Sequence, residues 1–454
     1  MGTVSVNSPR GFRRSRWRTP LALALVIGGT WTALWWGVLR MAEPPSWPPA
    51  TTAVTADGAL RATADIVSRD DVTVSDLGTQ FAWSTAATVD PLPEGRRFFP
   101  RMLDDIRAAR GSVHILQFGF TPGEVGDEFA GALEAAVGRG VEVRLVVDSY
   151  GSRPSQNADA MYDDLAAAGA QIVVNDVLPP FETGLWPDRD LEWSLRQVGH
   201  YEHRKLLLVD GRVAYIGGAG IEDHFANGRF HDVMTRLTGN VVRQLQLAFL
   251  TTFRAHGGPL DGDVAALAPY FPEPGDRGDK PACVVGTAHA RDVSALQASR
   301  QLIDDARRRI DITNLYFTED EFVDRIIAAA GRGVKVRLLV ARGSNSAIHS
   351  AALRHHYGRM LDAGIEIWEY PDAVVHGKVL VVDGTVLFGT VNLDAWSLYR
   401  AYEVGVVVAD DQAADLFEQR LFGPDIAVSR PGEAPTDLWT RLVDWGADKL
   451  SYFL

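Results

Sequence analysis

The chain has 454 residues, 46% of them apolar and 23% charged, the balance of a globular protein long enough for two or three domains around a large core. Residues 1–40 hold six arginines and no acids, so without them the formal net charge of −13 becomes −19, which argues against nucleic acid as a partner because binding a polyanion needs a positive footprint. Cys283 is the single cysteine, which excludes an intrachain disulfide and a thiolate metal cluster.

The basic segment 1–20 carries Arg10, Arg13, Arg14, Arg16 and Arg18 and precedes the uncharged run 21–39. As a helix that run would extend roughly 28 Å, enough for one membrane span. A cleaved signal peptide is the alternative, but the run is long for one and Arg40 spoils a small-residue cleavage site. With the arginines in the cytoplasm, a single-pass anchor in the cell membrane places the body beyond Arg40 on the extracytoplasmic side. Trp31, Trp35, Trp36 and Trp47 suit the outer interface. Residues 40–90 form a proline-rich stalk, with Pro44, Pro45, Pro48 and Pro49, and a lead-in without strong periodicity.

Order becomes legible in a first half, residues 91–256. An amphipathic helix beginning near Phe98 leads to a buried strand, a second helix leads to a strand ending at Asp148, and a third stops at Gly169 before another strand. A hairpin beginning at His203 closes the set. After a Pro/Gly/Asp-rich linker, 257–285, residues 286–430 repeat the series. Gly138-Arg139-Gly140 corresponds to Gly331-Arg332-Gly333, and each is followed by Val-x-Val-Arg-Leu. The fold class expected is therefore a duplicated α/β one, two pseudo-symmetric α/β/α halves with mixed sheets, preceded by one transmembrane helix. From the glycine mark to the histidine is 65 residues in the first copy and 45 in the second; the excess lies near 181–202, where Phe181, Trp186 and Trp193 either line an acyl-chain entrance or pack a long loop. Residues 431–454 form a C-terminal amphipathic helix with Trp439, Leu442, Val443, Leu450 and Phe453 on one stripe. It is expected to dock on the body, with a bilayer surface as the other possibility.

The chemistry sits in two hairpins. His203, Lys205 and Asp210 share the spacing H-x-K-x4-D with His376, Lys378 and Asp383. On an extended strand a histidine and a lysine two residues apart leave the same face, and Asp-Gly is a strong two-residue hairpin turn. One match is compatible with an ordinary hairpin and a stray histidine; two inside matching surroundings are not easily so. The second hairpin ends in Gly389-Thr390-Val391-Asn392, returning an amide toward the histidine. Imidazole, ammonium and amide on one spot suit a phosphoryl group. A neutral imidazole divides a hard displacement at an anionic phosphodiester into two easier ones, and a second one near neutrality moves the proton both ways. Lys205, Lys378 and Asn392 would hold the non-bridging oxygens.

The paired H-x-K-x4-D text resembles the phospholipase D superfamily, and LDDIRAAR, EAAVGRGVEVRLVVDSYGS, GTVNLDAWS and LSYFL make residues 90–454 most similar to bacterial cardiolipin synthases. The resemblance implies a duplicated phospholipase D-like fold with both histidines at one shared site, and no metal or cofactor. It implies a covalent phosphohistidine on His203, with His376 as acid and base, Gly218, Gly220 and Thr390 near the phosphate, and Glu403 and Asp232 as carboxylates that orient the histidines. Asp210 and Asp383 belong to the catalytic motif, although the hairpin turn also explains them. Where cardiolipin synthases have G-G-x-N, this chain has Gly217-Gly218-Ala219-Gly220, so the first amide is missing and backbone N–H groups at Gly220 are its possible substitute. Those synthases usually have two spans and a cytoplasmic body, unlike the single span expected here.

The expected function is a membrane-anchored phosphatidyltransferase that uses phosphatidylglycerol, an anionic phospholipid, as donor and the hydroxyl of a second phosphatidylglycerol as acceptor alcohol. The alternatives are a phospholipase D-type hydrolase releasing phosphatidic acid, a nuclease, which the acidic body disfavours, and an inactive phospholipid-binding scaffold, prompted by Gly220.

Overall fold

The computed structural model describes residues 56–69, 83–152, 157–176, 200–288, 292–343 and 345–451. In the first half seven strands lie in the order Thr88–Pro93, Val233–Thr238, Val213–Gly217, Lys205–Val209, Ser112–Gln117, Glu142–Asp148 and Gln171–Asn175. The second half repeats that order strand for strand, as Lys280–Thr287, Glu403–Ala409, Thr385–Gly389, Val379–Val382, Arg309–Thr313, Lys335–Ala341 and Glu366–Tyr370, with Ser84–Ala86 and Arg430–Pro431 added at its edges. Three neighbouring strands of each seven are parallel and the hairpin strands antiparallel, so both sheets are mixed, as expected. The stretch expected as a linker already contains the start of strand Lys280–Thr287, and the aperiodic lead-in supplies helix Ala56–Val67 and two short edge strands. The expected span at 21–39 and the aromatic stretch at 181–199 lie outside the described residues. Among the described residues no helix is long and apolar enough to cross a membrane.

The strands form because their apolar runs serve two cores at once. Leu206 and Leu208 pack with Val379 and Val381 in one cluster shared by both sheets, whereas Leu207 and Val209 face the outer helices of the first half, and Leu380 and Val382 those of the second. Period-two side-chain alternation makes this possible, since successive residues leave opposite faces. Helix Val241–Ala255, buried from Val241 to Phe253, contributes Leu245, Phe249 and Phe253 to the shared cluster.

The duplicated Gly-Arg-Gly mark is a helix stop with a second duty. Helices Glu124–Gly138 and Asp320–Gly331 both end at a left-handed glycine, Gly140 at φ 83° and Gly333 at φ 89°. The following amides of Val141 and Val334 reach back to the carbonyls of Ala136 and Ala329, closing the turn. The intervening arginine then donates to the end of a neighbouring helix, Arg139 to the Ile106 carbonyl at 3.1 Å and Arg332 to that of Ile303 at 3.0 Å.

The C-terminal helix Leu438–Ser451 docks on the body, but with its polar face. Asp444 and Asp448 are buried against Arg354, at 2.8 Å, and His356, at 3.0 Å. Leu438, Trp439, Leu442, Val443, Trp445 and Leu450 are left exposed, Trp439 at 75%.

The two motif aspartates secure the hairpins. Asp210 and Gly211 have φ values of 53° and 61°, as a two-residue type I′ turn requires, and the Arg212 amide bonds back to the Val209 carbonyl. The Asp210 carboxylate accepts from the amides of Arg110, Gly111 and Ser112, and that of Asp383 from the amides of Arg307, Arg308 and Arg309, each at 2.9 Å. Partial burial pushes Asp383 up, but the three amides outweigh it and hold the carboxyl below its ordinary range. A folded-state pKa below the unfolded value stabilises above the unfolded pKa and is lost as pH falls through the folded one. We expect Asp383→Asn to cost about 1–2 kcal/mol at neutral pH. In thermal unfolding of the detergent-purified chain, the gap between parent and variant should narrow below about pH 4.

Candidate active site

Each motif histidine precedes its strand, on a segment that pairs across the halves. The His203 amide bonds to the Tyr402 carbonyl, and Tyr402 returns its amide to Tyr201. In the same manner Val374–Val375 runs parallel to Phe230–His231, and the His376 amide bonds to the His231 carbonyl at 2.7 Å. These two pairings end one residue short of Glu403 and Asp232, and so bring each acid to the histidine of the other half. Nδ1 of His203 lies 2.8 Å from Glu403 Oε1, and Nδ1 of His376 lies 2.6 Å from Asp232 Oδ2. Both carboxylates are fully buried, whereas the imidazoles keep 17% and 11% of their side-chain surface. A carboxylate on Nδ1 fixes the tautomer and leaves Nε2 as the nitrogen available for chemistry.

The electrostatics keep the imidazoles neutral. Burial first, then the Lys378 ammonium, pushes His376 down to about 3 against the opposing pull of Asp232. His203 is lowered by burial, with Glu403 opposing and Lys205 assisting. Burial would raise Asp232, but the His376 hydrogen bond and the nearby Lys378 outweigh it and hold the acid below its ordinary range. The two lysines are buried and anchored by their ammonium groups to the backbone carbonyls of the histidines, Lys205 on His203 at 2.6 Å and Lys378 on His376. Burial lowers Lys205 to about 7 and Lys378 to about 8, with Glu403 pulling the first back up and Asp232 the second. Two ammonium groups so destabilised gain from any anion that arrives between them.

The glycine-rich turns serve the acids. Thr390 Oγ1 donates to Glu403 Oε2 at 2.5 Å, so both oxygens of that carboxylate are engaged. At the matching place Gly218 leaves room for Asp232: a Cβ there would stand 2.6 Å from Oδ2 and 2.8 Å from the His376 carbonyl oxygen. Asn392 is buried and, among the described residues, its Oδ1 has no hydrogen-bond partner. Gly220 has no side chain to offer, and a Cβ on it would meet Glu222 Oε2 at 2.2 Å. Asp210 and Asp383 do not join the histidines. Lys205 pairs with Gln117 while the Asp210 amide bonds to Ser112, so the aspartate stands at the other end of the strand, about 17 Å along at roughly 3.3 Å per residue.

Sequence reasoning missed the ring that walls each histidine. Phe118 stands edge-on to His203, with centroids 4.8 Å apart, and carries the Lys205 ammonium 4.7 Å above its face. Phe225 and Phe230 flank His376 at 5.4 and 5.6 Å. Phe118 reads as one more apolar residue of a buried strand, and no local signal marks it. Among the described residues one group has metal-ligand geometry, Asp320, His356 and Asp448 at the C-terminal helix, where Lys449 already pairs with Asp448 at 2.6 Å.

Two seven-strand halves in one order, sharing a site of paired histidines, lysines and crossed acids, define a phospholipase D-like protein. Residues 102–245 and 300–422 match the family model described as "Cardiolipin synthase, PLD-like domain", and the chain belongs to that family. It is 29% identical over 329 residues to a cardiolipin synthase of Geobacillus thermodenitrificans, a match spanning 71% of this chain and 62% of that protein. With the major cardiolipin synthase of Bacillus subtilis it shares 25% identity over 401 residues, 84% of this chain and 78% of that one. The fold is similar to the crystal structure of phosphatidylserine synthase from Haemophilus influenzae, at a TM-score of 0.61 and 13% identity, covering 87% of this chain and all of that one.

The crossed geometry generates a specific expectation. Asp232→Asn and Glu403→Gln should each lower kcat about 10²- to 10⁴-fold on a soluble phosphodiester such as bis(p-nitrophenyl) phosphate, because an amide misplaces the imidazole proton. Steady-state kinetics beside circular dichroism will check it, and a fall confined to KM would count against an orienting role.

Proposed function

We propose that this protein is a membrane-anchored phosphatidyltransferase that moves a phosphatidyl group from one phosphatidylglycerol to another, forming cardiolipin and glycerol. The observation that carries the reading is the convergence of two imidazoles, each with a buried carboxylate on Nδ1, and two buried lysines. Nε2 of His203 attacks phosphorus, and the P–O bond to glycerol breaks as His376 gives its proton to the departing oxygen. Substrate negative charge raises the proton affinity of His376, offsetting the burial and the Lys378 charge that hold it down in the empty site. The acceptor hydroxyl then surrenders its proton to His376, its oxygen attacks phosphorus, and the N–P bond breaks. Lys205, Lys378 and Asn392 hold the non-bridging oxygens while charge builds on them. Family membership supports the choice of lipid and of transfer over cleavage.

The membrane side of the proposal rests on the basic segment and apolar run of residues 1–40, with the body on the extracytoplasmic side. The C-terminal helix supports contact with lipid as well. Its carboxylates Asp444 and Asp448 are spent on the body, so its open face carries Trp439, Trp445 and leucines beside Arg441 and Lys449. Tryptophan and cations around an apolar stripe suit an anionic interface.

Detergent-purified protein should form cardiolipin from labelled phosphatidylglycerol in the presence of EDTA, and His203→Ala and His376→Ala should each abolish it. Phosphatidic acid in place of cardiolipin would assign hydrolysis instead. On vesicles containing phosphatidylglycerol, Trp439→Glu with Trp445→Glu should raise the apparent KM for lipid while leaving turnover of bis(p-nitrophenyl) phosphate unchanged.

A further inference from the structure

At one of the positions where the two halves of the site differ, the structure fills the difference. Gly217 and Gly389 end equivalent strands, each opposite the strand that follows an orienting acid, Gly217 at Met234 and Gly389 at Gly405. Counting forward, Gly218 corresponds to Thr390, Ala219 to Val391, and Gly220 to Asn392. The second half therefore presents a buried amide where the first presents no side chain. The vacated volume holds the carboxyl group of Glu222. Its Oε2 lies 2.2 Å from where a Cβ on Gly220 would stand and 2.4 Å from where one on Gly119 would stand, so the group occupies a slot that two glycines create. No described residue donates a hydrogen bond to it. The charged and titratable groups that face it are Lys205, at the start of the neighbouring strand, and His224 on the short helix Asp223–Ala226 that Glu222 precedes, with Nε2 at 3.8 Å. The adjacent Asp223 is committed elsewhere, to the amides of Glu124 and Val125.

We propose that Glu222 is a phosphoryl-binding residue that, as a neutral carboxylic acid, donates a hydrogen bond to a non-bridging oxygen of the substrate and so supplies in the first half what Asn392 supplies in the second. The proposal rests on the phosphodiester chemistry proposed above. An ionised carboxylate beside a phosphodiester anion is repelled at close range in a poorly solvated site, whereas a protonated one is an O–H donor. Burial already raises Glu222 to about 7, with Lys205 opposing, and an incoming anion raises it further while engaging the lysine. Substrate binding is then coupled to uptake of a proton at Glu222.

Two measurements test this on the detergent-solubilised full chain. In the first, kcat for bis(p-nitrophenyl) phosphate is followed from pH 5.5 to 9 in the parent, Glu222→Ala and Glu222→Gln. The alanine variant should lose about 10²-fold at acidic pH, the scale for one lost oxyanion donor. The glutamine variant, whose amide donates at every pH, should recover most of that loss and hold its rate at alkaline pH where the parent declines. Glutamine as impaired as alanine, or alanine unimpaired, would overturn the proposal. In the second, calorimetric titration with diethyl phosphate at pH 7.5, in buffers of different ionisation heat, counts protons taken up on binding. The parent should take up measurably more than Glu222→Gln. Equal uptake with binding intact sinks the role of Glu222 and leaves the phosphodiester reading standing; a parent that neither binds nor turns over either diester removes both.

Discussion

The hydrogen bonds from His203 to Glu403 and from His376 to Asp232 cross between the halves of the chain, and most of what surrounds them exists to make the crossing possible. A carboxylate buried without a partner is costly, and an imidazole with no acceptor on Nδ1 is free to turn or change tautomer. Each half resolves the other's deficit. The segment before each histidine is zipped to the segment before the opposite acid by backbone hydrogen bonds, so the register of these short pairings decides whether the side chains meet. The shared core of Leu206, Leu208, Val379 and Val381 holds the two sheets to that register.

The duplication has kept its devices and traded their parts. Both copies end a helix with Gly-Arg-Gly and spend the arginine on a neighbouring helix end, and both tie a hairpin to the preceding turn through an aspartate that accepts three amides. At the site the trade is one of volume. The longer acid, Glu403, is steadied by Thr390, and the shorter one, Asp232, lies where Gly218 leaves room. Where one half has the amide of Asn392, the other has Gly220 with the carboxyl group of Glu222 beside it.

Much of this was legible in the sequence. The paired H-x-K-x4-D text, the Asp-Gly hairpins and the Gly-Arg-Gly stops are local signals with local physical causes, and the structure has hairpins and helix ends where they fall. Glu403 and Asp232 could be singled out as orienting acids, but which histidine each serves depends on a cross-half pairing with no trace in any short stretch. The aspartates of the motif have a turn-making use that explains their spacing as well as chemistry does, and the distance along the strand separates the two only in three dimensions. The C-terminal helix was legible as amphipathic. That it buries the polar stripe required Arg354 and His356, some ninety residues earlier. Glu222 was invisible because its meaning lies in two glycines, and the absence of a side chain says nothing until its neighbours are known.

The crossed wiring also sets a rule for the order of synthesis. As the chain emerges from the ribosome, His203 folds into a half whose acid, Glu403, has yet to be made, and Asp232 waits for a histidine 144 residues downstream. A truncated or clipped product holds one imidazole without its carboxylate and one carboxylate without its imidazole. An incomplete chain therefore lacks both crossed hydrogen bonds, and the two histidines are set in place only when the last of the second half has been made.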